Sequence, residues 1–138
     1  MKPALRLPAA RWGQFYKTEI MNSKEFVESI KIGVEKSTFN ELQSLLEHPP
    51  GRSPRKELVG LSDWYKSLDI SDKENLHEII KLAAKHSVFG MLCVIDGVRQ
   101  IESTNDKGEL VLEFHKNGEI IRLNDPNEEY LHDIFNSD

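Results

Sequence analysis

The chain has 138 residues, 38% of them hydrophobic and 30% charged, with a formal net charge of −5. That length suits one domain with a core of its own, and the mix is too apolar for a disordered chain. Cys93 is the only cysteine, which excludes an intramolecular disulfide and a four-cysteine zinc site.

The first segment, Met1 to Ile20, carries Lys2, Arg6 and Arg11 but no continuous apolar stretch, because Arg6, Pro8 and Arg11 interrupt it. It does not read as a secretory signal, and the absence of serine argues against an organelle transit peptide. Residues 1–20 are expected to be a flexible extension, and residues 21–138 a single α+β domain.

Asn22-x-x-Glu25 predicts a helix start, followed by the stripe Phe26, Ile30, Val34. Thr38-x-x-Glu41 predicts a second start ahead of Leu42, Leu45 and Leu46, and Pro49-Pro50-Gly51 a stop. Ser53-Pro54 predicts a third helix with Leu58, Leu61, Trp64, Tyr65 and Leu68 on its apolar side. Ser71-x-x-Glu74 then opens a long helix to about Ile95, closed by Asp96-Gly97. Its second half is apolar all round, which marks it as the central buried element, with Val88, Leu92 and Ile95 in the core.

After Gly97 the apolar period changes to two. Residues 98–102 predict a short strand, and Leu110, Leu112 and Phe114 share one face of a second, expected to lie against the long helix. Asn117-Gly118 predicts a type I′ hairpin that sets Lys116 opposite Glu119, Phe114 opposite Ile121, Glu113 opposite Arg122 and Leu112 opposite Leu123. Asp125-Pro126 caps a final helix that docks through Tyr130, Leu131, Ile134 and Phe135. The expected fold is α+β: about four helices packed on a small antiparallel sheet of three strands, with a short C-terminal helix.

The chemistry-bearing residues form no catalytic, nucleotide or cofactor motif. His48, His77, His86, His115 and His132 never fall four residues apart, and His132-Asp133 with Glu128 or Glu129 reads as an acidic helix face, so no metal site is expected. Trp64 and Tyr65, with Arg99 at a helix-to-strand junction, could wall a cleft that holds a carboxylate or phosphate. Their plainer role is core packing for the aromatics and a pairing of Arg99 with Asp96 or Glu102. Residues 102–138 carry ten acidic and three basic side chains, which argues against nucleic acid as a partner and permits a basic protein. The longest apolar run, Met91 to Ile95, is far short of the ~20 residues that cross a bilayer, and the chain is expected to work in the cytoplasm.

Three segments, Leu61-Ser62-Asp63-Trp64-Tyr65, Val88 through Arg99, and Leu123-Asn124-Asp125-Pro126 through Asn136, resemble a family of small uncharacterised bacterial proteins. The resemblance covers Met21 to the C-terminus and implies no activity, cofactor or site. In size and charge the chain is also similar to immunity proteins that neutralise toxins. Two functions therefore stand as expectations. One is a non-enzymatic, inhibitor-like module that offers Glu109, Glu119, Asp125, Glu128, Glu129 and Asp133 to a basic partner. The other is a small enzyme or ligand-binding domain with a cleft near Trp64, Tyr65 and Arg99.

Overall fold

The computed structural model describes residues 20–137, so the expected extension lies, apart from Ile20, outside the described residues. Helix α1 (Ser23–Ile30) begins where the sequence places it. Asn22 Oδ1 accepts from Glu25 N at 3.0 Å and Glu25 Oε2 accepts from Asn22 N at 2.9 Å, a complete capping box. The second start, expected at Thr38, is absent. The backbone stays right-handed helical from α1 through a π-helical segment (Lys31–Lys36) into α2 (Ser37–Glu47). No proline interrupts this run, and Thr38 lies inside continuous helix, where the preceding Ser37 Oγ donates back to the Gly33 carbonyl at 2.7 Å.

Past the prolines, α3 (Lys56–Ser67) starts two residues later than Ser53-Pro54 suggests, because Arg55 is still extended, with ψ 138°. It packs on α2 through a small residue. Ser62 is fully buried and its Oγ donates to the Leu46 carbonyl at 2.6 Å. Ser62 and Tyr65 share that face at i, i+3, which turns Leu61 and Trp64, one residue back from each, about 100° away into solvent. The expected apolar side of this helix is thus rotated.

Helix α4 (Ile70–Ile95) also starts two residues from its expected place, earlier in this case. Asp69 Oδ1 accepts from Asp72 N at 2.8 Å, so Asp69 and not Ser71 is the cap. Leu68 is extended after α3 and leaves a two-residue joint in which Asp69 is the first residue placed to cap. The far end closes as expected. Gly97 takes φ +75°, Gly97 N donates to Val94 O at 3.1 Å and Val98 N to Cys93 O at 3.0 Å, the paired bonds of a Schellman stop. That stop takes up the N–H groups of Val98 and Arg99, and residues 98–102 continue as exposed irregular chain. The expected first strand is therefore missing, and the sheet has two strands among the described residues.

Strands β1 (Glu113–Lys116) and β2 (Glu119–Arg122) pair antiparallel with Glu113 opposite Arg122, Phe114 opposite Ile121 and Lys116 opposite Glu119. Asn117 and Gly118 supply the positive φ values, 52° and 81°, that the turn requires. Leu123 N donates to Leu112 O at 2.7 Å, extending the register one step towards the body. The final helix α5 (Leu131–Asn136) starts at Tyr130, not at Asp125-Pro126. Asp125 Oδ1 instead accepts from Asn127 N at 2.9 Å, a local turn that satisfies Asp125 before any helix begins.

The core lies where α1, α4 and α5 meet. Val27, Leu92, Leu131, Ile134 and Phe135 are buried together, with Val88, Phe89, Ile95 and Leu112 packed against them. Leu112 is the one member of the expected Leu110, Leu112, Phe114 face that joins this cluster. Nor is α4 buried all round, since Leu82 and Met91 are exposed. The architecture is α+β, and no helix among the described residues is long and apolar enough to cross a membrane.

Candidate partner-binding site

Three side chains organise the C-terminal third: two tie it to the end of α4 and one braces it internally. Asn124, which is buried, is the first. Its amide donates to Ile95 O and to Leu110 O, and its Oδ1 accepts from Leu112 N, all at 2.8 Å. One side chain thus joins the end of α4, the chain entering β1 and the chain leaving β2.

Asp96, the residue after α4, is the second. Its side chain is fully buried, and Oδ2 accepts from His132 N at 2.9 Å and from His132 Nδ1 at 2.7 Å. The imidazole is further fixed by stacking on Tyr130 at 5.5 Å and by the edge of Phe89 at 5.9 Å, and its Nε2 lies 3.5 Å from Asp133 Oδ1. A carboxylate that orients a histidine is half of a nucleophile-activating set. The other half is absent among the described residues, where no hydroxyl or thiol bonds to His132. Burial raises the Cys93 thiol above its ordinary pKa, which keeps it protonated and inert at neutral pH.

Arg122 is the third, and its Nη2 pairs with Glu109. The strand register sets Arg122 opposite Glu113, yet Glu113 accepts from His115 at 2.9 Å instead. The cross-strand partners Glu113 and Arg122 therefore bond elsewhere, Arg122 to Glu109 and Glu113 to His115. Between these ties lies a cavity of about 380 Å³, with Arg99, Lys107, Arg122, Glu102, Glu109 and Asn124 in its wall. Arg122 Nε is buried there without a hydrogen-bond partner. Among the described residues no three of His, Cys, Asp and Glu are grouped as metal ligands.

The acidic residues fall into two groups. Glu109 is neutralised by Arg122, and Asp125 is held by Asn127. The Asn127 backbone N–H holds the Asp125 carboxyl below its ordinary pKa, helped by the Asn127 amide and Arg122 and opposed by partial desolvation. Glu119, Glu128 and Glu129 are exposed with no ion pair among the described residues, and Asp133 is exposed with His132 as its one neighbour of opposite type. Glu119 stands at the hairpin turn, about 13 Å along β2 from Leu123. Glu128, Glu129 and Asp133 gather at the start of α5.

Trp64, Tyr65 and Arg99 do not come together. Tyr65 is buried between α3 and the first half of α4, where its hydroxyl meets His77 Nε2 at 2.8 Å, and burial, with Glu47 adding, raises its pKa. Trp64 points to solvent. Arg99 lies beyond the far end of α4, packed over Gly90, about 20 Å along the helix from His77. It pairs with neither Asp96 nor Glu102: Asp96 Oδ2 accepts from His132 while its Oδ1 is buried without a partner, and Glu102 accepts from Gly108 N at 2.7 Å. The roles of Asn124 and Asp96 carry no sequence signal, because their partners lie up to 36 residues away. No protein-family model, curated protein or solved structure matches the chain.

Proposed function

We propose that this chain is a non-enzymatic protein-binding module, of the inhibitor or immunity kind, that presents its acidic C-terminal third to a basic partner in the cytoplasm. The observation that carries this reading is the free carboxylate group at the start of α5. Glu128 and Glu129 are exposed and uncompensated, and Asp133 is exposed with only His132 beside it, on a segment that Leu131, Ile134 and Phe135 anchor in the core. A rigid patch of one sign steers a cationic protein into contact and loses little entropy on binding. Glu119 on the hairpin stands opposite Lys116 and adds little to that field.

Capture from a lysate of the source cell, with wild-type protein and a Glu128→Lys/Glu129→Lys variant as parallel baits, tests the proposal. Its expected result is a basic protein held by wild type, released by salt and absent from the variant. Equal retention by both baits would overturn it.

A second reading has one observation in its favour. The cavity beside Arg99 and Arg122 has the volume of a small-ligand site, and Arg122 Nε is an unused buried donor there. In this form the ligand-binding alternative involves Arg99 but neither Trp64 nor Tyr65. Small carboxylates and inorganic phosphate that raise the melting temperature of wild type but not of an Arg99→Ala variant would favour it.

A further inference from the structure

Helix α4 buries one side and leaves the other bare. Ala84, Val88 and Leu92 face the body. On the opposite side Ile79 is 61% exposed and Leu82 54%, with Asn75, Ala83 and His86 exposed beside them. Asn75, Ile79, Leu82 and His86 recur at steps of four, three and four, the spacing of a seam that packs against another helix. Ile79 and Leu82 thus form an exposed apolar centre with a polar residue at either end, the pattern of a short helix-pairing seam.

We infer that its partner is α4 of a second copy of this chain, packed antiparallel across a twofold axis near residues 80 and 81. With Ile79 set against Leu82 of the second copy, the spacing dictates every other pair. Asn75 meets His86, two side chains that hydrogen-bond. Leu76 meets Ala83 on one flank, apolar against apolar. Glu78 meets Lys85 on the other flank, opposite charges. Each pair occurs twice by symmetry. Glu78 already accepts from Lys81 at 2.7 Å through Oε1, which leaves its second oxygen for Lys85.

Arg99 gives independent support. Gly90 lies eleven residues beyond Ile79, within about 20° of the same face. A Cβ at Gly90 would overlap Arg99 Nη1, so the guanidinium lies on that face. Among the described residues the Arg99 guanidinium has no hydrogen bond or ion pair, and neither does the Asp72 carboxylate. In the antiparallel register Gly90 comes opposite Ser71, which brings Asp72 of the second copy to the Arg99 guanidinium. A parallel pair would instead set Arg99 beside Arg99 and Asp72 beside Asp72, and like charges would oppose it. The overlap, residues 71–90, is about 30 Å long.

Sedimentation velocity of the full chain over a wide concentration range tests this inference. Wild type is expected to dimerise reversibly. Leu82→Glu, at an exposed site that leaves the fold intact by circular dichroism, is expected to weaken the dimer roughly a hundredfold, because the change is present twice and each copy loses about tenfold. Arg99→Asp and Asp72→Arg are each expected to weaken it, and the two together to restore it. A chain that stays monomeric, or a dimer indifferent to Leu82→Glu, would overturn the inference. So would a double charge swap that fails to restore association, since the antiparallel register would then be wrong. Binding of a different protein to this face while the chain remains monomeric counts against it equally.

Discussion

Replacing Asn124 by alanine removes the three hydrogen bonds, each 2.8 Å, that join the end of α4 to both arms of the hairpin. A net intramolecular hydrogen bond contributes about 0.5–1.5 kcal/mol, and a buried group left unpaired costs more. Ile95 and Leu110 border the cavity, so water entering there can satisfy their freed carbonyls and reduce the loss. Leu112 N–H, half-buried away from that wall, has no such replacement. The expected loss is therefore about 2–4 kcal/mol, a large share of the 5–15 kcal/mol of a small domain. Asn124→Asp sharpens the test. It keeps an acceptor for Leu112 N but turns a carboxylate oxygen towards two carbonyls, and at neutral pH it should cost at least as much as alanine. Urea unfolding followed by circular dichroism gives both numbers, provided the m-value is unchanged. A loss below about 0.5 kcal/mol for both variants would refute the assignment of Asn124 as the tie between hairpin and body.

Leu92→Ala should cost about 2–5 kcal/mol by the same assay, because Leu92 is 3% exposed in the cluster that joins α1, α4 and α5. Tyr65→Phe deletes the bond to His77 and should cost about 0.5–1.5 kcal/mol, with no effect on capture of a basic partner. For Asp125 the folded carboxyl titrates below its ordinary value, so its stabilisation is full above that value and is lost as pH falls through the folded pKa. Asp125→Asn should therefore differ most from wild type near neutral pH and converge with it in strong acid, as melting temperatures across pH will register.

The parts of the fold legible in the sequence are those decided within a few residues. Asn117-Gly118 fixes the hairpin register because the turn demands positive φ at two successive positions, and Gly97 ends α4 for a similar local reason. Where two local signals compete, the sequence misleads. Asp69 and Ser71 can each cap α4, and Asp69 succeeds because the two-residue joint after α3 reaches it first. Thr38 reads as a cap only if the helix before it ends, and the chain widens into a π turn instead. Residues 98–102 alternate like a strand, but the stop at the end of α4 takes up the N–H groups of Val98 and Arg99, and neither free edge of the two-stranded sheet is paired by this segment. The site was less legible than the fold. The charge bias of the last third is plain from composition, but which carboxylates stay free depends on contacts such as Arg122 with Glu109 and His132 with Asp96, which span 13 and 36 residues. Trp64, Tyr65 and Arg99 were separated by the rotation of α3 and the length of α4.

The central claim, an acidic face that recruits a basic protein, is tested most directly by the association rate with the captured partner, measured by stopped flow as ionic strength rises. The account expects the rate to fall steeply with salt, because the Debye length contracts to roughly 8 Å at physiological strength, and to fall further for Glu128→Lys/Glu129→Lys with the dissociation rate much less affected. A rate indifferent to both salt and charge reversal would contradict the claim and direct attention to the cavity beside Arg99 and Arg122.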